Sequence, residues 1–294
     1  MSDVEKRKLT QGGIFCLLSG AGFGTLLIFG KLSYQLGFSL SASLAWRFLG
    51  ASVLLWFWLL ISRTPGISRR SQRHALLLGL IGYAGQSAFF FGAMGRIGVA
   101  LTSMLLYTYP SMVTLIQAVI QRRRPSAARS LALFLSLVGS MLTIHVSEAN
   151  FDALGILLGL AAPLWYASYL TFGAVLVRSI SPLVASTYIC SGAALAFLTS
   201  SLLQGSFLIP TSISAWGVIL GLVLVATVMP IVLLFEGIKR IGAPKASILS
   251  SMELVVTVAL GVILFHETLS PVQMVGGVLV LAAVVVVQLV PDNR

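Results

Sequence analysis

Apolar residues run along this chain in ten long blocks, parted by short polar or basic joints. The blocks cover approximately residues 11–33, 39–62, 72–95, 99–121, 127–146, 153–177, 182–204, 213–238, 243–265 and 271–290. About 20 apolar residues in helical geometry cross the hydrocarbon core of a bilayer, so the pattern predicts ten transmembrane helices. One block pair recurs. Phe89–Ser126 returns 144 residues later as Leu233–Ser270, with Phe91, Arg96, Ile97, Gly98, Ser103, Leu105 and Ser126 repeated as Phe235, Arg240, Ile241, Gly242, Ser247, Leu249 and Ser270. Each copy is the end of one apolar helix, a glycine turn and a second apolar helix. Five helices per copy is an odd number, so the second copy enters the membrane upside down. The expected fold is an all-α integral membrane protein of ten helices in two inverted five-helix repeats. The repeats are 11–146 and 152–290, flanked by cytoplasmic tails 1–10 and 291–294.

Charge agrees with this layout. Only 9% of the 294 residues are charged, 57% are hydrophobic, and the net charge is +11. In a soluble protein such a balance suggests nucleic acid, but here the basic residues sit in the joints. With the N-terminus inside, sixteen Lys and Arg residues fall on the cytoplasmic side, namely Lys6, Arg7, Lys8, Arg63, Arg69, Arg70, Arg73, Arg122, Arg123, Arg124, Arg129, Arg178, Lys239, Arg240, Lys245 and Arg294, and only Arg96 falls outside. Basic joints stay inside during insertion, and one missed span would invert every later joint. Glu148 and Asp152 fall outside. The expectation is a multi-pass protein of the cytoplasmic (inner) membrane with both termini inside. Lys6-Arg7-Lys8 and the apolar run after it outline a signal peptide, but that run is about twenty residues long without a small-x-small cleavage site, so it reads as a first span. Cys16 and Cys190 lie within apolar blocks and behave as small hydrophobes.

Within the blocks, Gly20/Gly24, Gly155/Gly159, Gly217/Gly221 and Ser136/Ser140 are small residues at a spacing of four, which permits close helix packing. Pro110, Pro163 and Pro230 fall inside spans four, six and eight, where each removes a backbone hydrogen bond and can bend its helix. The run Gly20-Ala21-Gly22-Phe23-Gly24 lacks the strand that a nucleotide-binding loop requires.

Ten helices, the five-plus-five duplication, Glu253 after small and apolar residues, and His266-Glu267-Thr268-Leu269-Ser270 after an apolar run resemble the EamA-type members of the drug/metabolite transporter superfamily. The likeness covers the chain after residue 10. Leu254 stands where the family often has proline, and Arg122-Arg123-Arg124 replaces an acidic end of the fourth helix. The aromatic-rich interior is similar to that of bacterial aromatic amino-acid exporters. The resemblance implies efflux of amino acids or similar metabolites through a central cavity formed by helices 1, 3, 4, 6, 8 and 9.

The residues supply candidates for that cavity. Gly79, Tyr83, Gln86 and Phe90 share one face of span three, and Ala162, Tyr166, Tyr169 and Gly173 share one face of span six beside Pro163 and Trp165. Polar-tipped aromatics offer a small molecule an apolar bed with orienting hydrogen bonds, although Tyr and Trp also anchor helices at the membrane surface, as expected of Tyr34 and Trp58. Ser250, Glu253 and Thr257 share a face of span nine, with Leu106, Tyr109 and Val113 as their counterparts in span four. The expected substrate-binding set is Phe23, Tyr83, Gln86, Phe90, Tyr109, Trp165, Tyr166, Tyr169, Ser250 and Glu253. A buried carboxylate needs a partner, a proton or water. Glu253 therefore heads a coupling or gating set with Arg47, Lys31, Pro110, Pro163 and Pro230, while a purely structural bond to a helix end is an equal alternative. Glu236 is expected to pair with Lys239 or Arg240.

No catalytic or metal site emerges. His266-Glu267 opens the zinc-protease pattern, but Ser270 stands where its second His is required, and His74 and His145 have no ligand-spaced neighbours. No cofactor is expected and no ATPase domain is read on the chain. The partners are lipid and a small-molecule substrate, with spans five and ten free to face lipid or a second copy in a homodimer. Export by alternating access is the leading function; an intramembrane enzyme and a passive channel are the alternatives.

Overall fold

The computed structural model describes residues 3–122, 125–143, 152–265 and 270–289, and among these every regular element is helical. Ten apolar helices follow one another: α1 (Arg7–Gln35), α2 (Leu40–Ile61), α3 (Arg69–Val99), α4 (Leu101–Gln121), α5 (Ala127–Leu142), α6 (Ala153–Ser179), α7 (Pro182–Leu203), α8 (Ile213–Ile241), α9 (Ala243–Leu264) and α10 (Pro271–Val286). Eight are long and apolar enough to cross a membrane, and α5 and α10 are apolar but shorter. The ten blocks of the sequence are thus ten helices, of which eight have full spanning length. Helix begins at Asp3, within the stretch expected as a tail, because Glu5 to Thr10 contain no breaker. Arg123, Arg124, His145, Glu148, His266, Glu267, Thr268, Leu269, Arg294 and the rest of the 291–294 tail lie outside the described residues.

Helix ends follow local chemistry. Ser39, Ser181 and Ser212 cap α2, α7 and α8 by accepting from the N–H three residues on, and Asp152 accepts from Leu154 at the start of α6, which satisfies donors with no intrahelical partner. Between α3 and α4, and again between α8 and α9, the chain reverses on one glycine: Gly98 at φ 78°, ψ 165° and Gly242 at φ 78°, ψ 159°. That left-handed backbone strains any residue with a Cβ.

The helices pair in a regular set. α2 packs on α7, α5 on α10 and α4 on α9; α1 lies against α8 and α9, and α6 against α3 and α4; α8 also touches α2, and α3 touches α7. Exchanging each helix for the one five places on leaves this set unchanged. The fine contacts repeat as well. A Cβ on Gly12 would lie 2.6 Å from Ile241 and 2.8 Å from Arg240, and one on Gly155 would lie 2.6 Å from Ile97 and 2.8 Å from Arg96. Gly20, Gly24, Gly159 and Gly221 likewise take neighbours where a Cβ would go, but Gly217 faces open space. The small-residue pattern therefore holds for all of these glycines except Gly217. Among the serines, Ser136 donates to Ser251 at 3.2 Å, and Ser140 makes no hydrogen bond.

Candidate functional site, a file of tyrosines between broken helices

Five helices depart from regular α geometry. α3 and α8 each contain a π turn, Leu78–Tyr83 and Leu224–Val228. α4 is interrupted at Tyr107-Thr108, α9 at Ser251 and α1 at Thr25. Proline does not make these breaks. Pro110 and Pro230 start the segments Tyr109–Gln121 and Met229–Ile241, where their missing N–H would have no helical partner anyway, so neither removes the interior bond expected of it. Pro163 alone lies inside a helix.

Irregular turns free carbonyls, and neighbouring helices supply donors. The Trp165 indole donates to Ile81 O in the π turn of α3 at 3.1 Å, and Arg47 donates to Ala226 O in the π turn of α8 at 3.2 Å. Arg47 Nε also reaches Thr227 Oγ1 at 2.7 Å, and that hydroxyl donates to Leu222 O. Arg47 is only 2% exposed. It is bound to the opposite half of the chain and faces the rings of Phe48 and Tyr83 at 4.9 and 5.8 Å. Thr257 of α9 donates to Gly24 O at the break in α1. In a membrane, where water cannot satisfy such groups, these bonds stabilise the irregular turns.

From Arg47 a continuous file of rings leads through the interior. Phe48 meets Tyr83 at 4.8 Å between centroids, Tyr83 meets Tyr169 at 5.8 Å, Tyr169 stacks on Tyr166 at 5.8 Å, Tyr166 meets Tyr109 at 4.8 Å, and Tyr109 lies 6.4 Å from Tyr107. The Tyr107 hydroxyl bonds the Glu253 carboxylate. The file thus joins a buried guanidinium to a buried carboxylate. Tyr109 and Tyr107 stand at the break in α4, Glu253 lies in the first turn after the break in α9, and Tyr109 donates to Ser247 O across the two helices at 3.2 Å. A helix N-terminus favours a carboxylate beside it. Next to Glu253, the buried Ser250 hydroxyl makes no hydrogen bond.

The structure brings together Tyr83, Tyr109, Tyr166, Tyr169, Glu253 and Arg47, with Ser250 beside them. Other expected residues lie elsewhere. Trp165 is 37% exposed against Phe89 on the outer side of α3 and α6, because Gly85 leaves room for its indole there. Phe90 packs edge-on to Phe91, Phe23 is a buried core residue and Gln86 is buried within α3. Lys31 is exposed on α1. Glu236 pairs with Arg240, as its spacing suggests.

Tyr107, Phe48, Thr227 and Phe235 were not singled out by pattern. Tyr107 is two positions before Tyr109 and would point away from it in an unbroken helix. Phe235, fully buried, meets Tyr169 at 6.0 Å and fills the space left by Gly173. Among the described residues no group of His, Cys, Asp and Glu could hold a metal ion.

The model of the EamA-like transporter family matches residues 10–145 and again 153–289. The uncharacterized transporter YcbK of Bacillus subtilis (strain 168) is 28% identical, over 92% of this chain and 90% of that protein. YyaM of the same organism, also an uncharacterized transporter, is 26% identical over 92% of each. An uncharacterized transporter of Archaeoglobus fulgidus is 30% identical over 68% of this chain and 70% of its own. A crystal structure 17% identical in sequence shares the fold, with a TM-score of 0.79 over 94% of this chain and 96% of that one.

Proposed function

The chain belongs to the EamA-like transporter family and is a multi-pass membrane transporter, and on that premise we propose that it exports amino acids, aromatic and other neutral ones included, across the inner membrane. The ten helices act as two inverted five-helix halves with both termini in the cytoplasm. A site between the halves is exposed to one side and then the other, as in other transporters built from inverted repeats. The observation that carries this reading is the tyrosine file between Arg47 and Glu253. It offers flat apolar faces with hydroxyl tips for a ring or aliphatic side chain, and opposite charges at its two ends for an ammonium and a carboxylate. The neighbour set that survives exchange of the halves supports the inverted arrangement.

Two further features support alternating access. On the face away from the basic joints, the halves are tied by the Arg96–Asp152 ion pair at 2.8 Å, by Ser41 with Ser206 at 2.8 Å, and by Trp46, which stacks on Phe207 and donates to Leu208 O. On the basic face a cavity of about 160 Å³ opens between α4, α6, α8 and α9. This is the form in which a carrier closed to the outside receives cargo from within.

Counterflow in proteoliposomes with a labelled amino-acid panel at two pH values tests the reading. Exchange of phenylalanine or another neutral amino acid supports it. Absence of exchange across the panel, or a single-channel conductance, rejects it.

A further inference from the structure

The cavity on the basic face holds chemistry that the tyrosine file does not use. Its walls are Gln117 and Gln121 of α4, Ala174 and Arg178 of α6, Ile238 and Lys239 of α8, and the Gly242-Ala243-Pro244 start of α9. None of these residues is acidic. Arg240, next in sequence, is neutralised by Glu236 and covers the Phe15 ring, whereas Lys239 makes only a long 3.4 Å bond to Ile180 O. Two cations and two amides thus face one mouth, beside a helix start whose dipole is positive.

Positioning relative to the file is direct. Gln117 and Gln121 continue the face of α4 that carries Tyr109 and Val113, at successive spacings of four, and Ala174 lies eight residues beyond Tyr166 on α6. Phe235 and Gly173 close the gap between the cavity and Tyr169. A molecule received in the cavity would therefore stand one aromatic ring away from the central site.

Basic residues on this face are also an insertion signal, so position alone does not distinguish a site from topology. The repeat does. Carried to the opposite mouth by the register that pairs Gly12 with Gly155 and Gly98 with Gly242, the positions of Arg178, Lys239, Gln117 and Gln121 become Gln35, Gly95, Gly261 and Phe265. The insertion signal asks for positive charge in the joint. It does not ask for two amides on the inner face of α4 directed at the same space.

We propose that this cavity is a receiving site for the carboxylate of the cargo, held between the Arg178 guanidinium and the Lys239 ammonium and bonded by the Gln117 and Gln121 amides. The site fills only from the basic face and gives the carrier its preference for carboxylate-bearing molecules from that side. The identification of the ligand as cargo rests on the transport reading above; carboxylate binding itself does not.

The test is thermal stabilisation of the purified, detergent-solubilised protein by three probes of similar shape. These are phenylalanine, 3-phenylpropionate, which keeps the carboxylate and lacks the amine, and 2-phenylethylamine, which keeps the amine and lacks the carboxylate. The site predicts stabilisation by the first two and none by the third. Arg178→Gln combined with Lys239→Gln should raise the half-saturating concentration of 3-phenylpropionate at least tenfold, with Arg178→Lys intermediate. Arg73→Gln, a charge loss on the same face outside the cavity, should leave it unchanged. Should the double variant not fold, Gln117→Leu with Gln121→Leu carries the same prediction at a smaller, about threefold, effect. Equal stabilisation by acid and amine, or equal 3-phenylpropionate binding by the wild type and the variants, overturns the proposal. If 3-phenylpropionate binds through Arg178 while the amino-acid panel shows no exchange, the receiving site stands and the amino-acid reading falls.

Discussion

Gly98 and Gly242, 144 positions apart, hold one and the same backbone, φ 78° in both with ψ 165° and 159°. Each turns an apolar helix into the next within a single residue, and each lies beside a contact in which Ile97 or Ile241 fits against a glycine of the other half. Nothing crowds Gly98, and at Gly242 the nearest atom to an added Cβ is in ordinary contact, so the backbone angle alone decides what these positions tolerate. Gly98→Ala and Gly242→Ala should each lower the stability of the detergent-solubilised protein by about 1–2 kcal/mol, read from thermal unfolding. Gly95→Ala, at a helical glycine with open space around it, should be neutral.

Packing glycines make a sharper prediction. A Cβ on Gly79 would run into the main-chain carbonyl of Ile189, and one on Gly192 into that of Leu76. Main chain cannot step aside as a side-chain tip can. Gly79→Ala and Gly192→Ala should therefore cost about 3 kcal/mol or more and sharply reduce folded yield, measured by size-exclusion chromatography after membrane extraction. Gly217→Ala, facing open space, should leave yield unchanged.

Arg47 is bonded to both the carbonyl and the hydroxyl of the α8 π turn. Arg47→Leu removes the donor and leaves Ala226 O unpaired inside the membrane, a loss of about 1–3 kcal/mol. Arg47→Lys keeps the charge but loses the fork that reaches both groups at once. Thr227→Val should cost less alone and add little to Arg47→Leu, since both remove the same bond. Additive losses in the double-mutant cycle would show that the two side chains act independently.

Much of this was legible in the sequence. The ten blocks, the repeat and both turn glycines could be read because apolar length, recurrence and left-handed backbone each leave a residue-level mark. The central tyrosines could be read from helical periodicity. The π turns and the break at Ser251 could not, because no proline or glycine marks them. Tyr107 was hidden for that reason, since a period of 3.6 places it away from Tyr109 until the helix breaks between them. Arg47 was visible as a buried charge, but its partners are main-chain and side-chain groups of α8 whose availability depends on the π turn. Trp165 looked like a wall of the cavity because it adjoins Tyr166, and instead it caps Ile81 from outside.

The Arg96–Asp152 pair supplies a pH prediction. The Arg96 hydrogen bond, with help from the backbone N–H of Leu154, holds the Asp152 carboxyl below its ordinary value. A depressed folded-state pKa contributes stability that is complete above the unfolded value of about 3.9 and is lost as pH falls through the folded one. Acidification of that face below the usual Asp range should loosen the tie, and salt should weaken it because both side chains are exposed. Asp152→Asn should abolish the pH dependence of protease access to that face. A wild-type profile retained in the variant would assign the dependence to another group.

At the site, Tyr83→Ala and Tyr166→Ala should change substrate preference more than folded yield, because their rings line the file and leave the helix contacts intact. Glu253→Gln should lower exchange and flatten its pH dependence. Equal loss for all substrates together with low yield would make the tyrosines packing residues, and unchanged exchange and pH response would remove Glu253 from the mechanism.

Everything above depends on two halves inserted in opposite senses. Arg96 and Arg240 are counterparts in the repeat, so the most direct measurement is the side from which each is reached. Arg96→Cys and Arg240→Cys, each in a chain whose buried Cys16 and Cys190 are replaced by alanine, are exposed in intact cells to a membrane-impermeant thiol reagent. The account predicts labelling of position 96 from outside and of position 240 only after the membrane is opened. Labelling of both from the same side would contradict it.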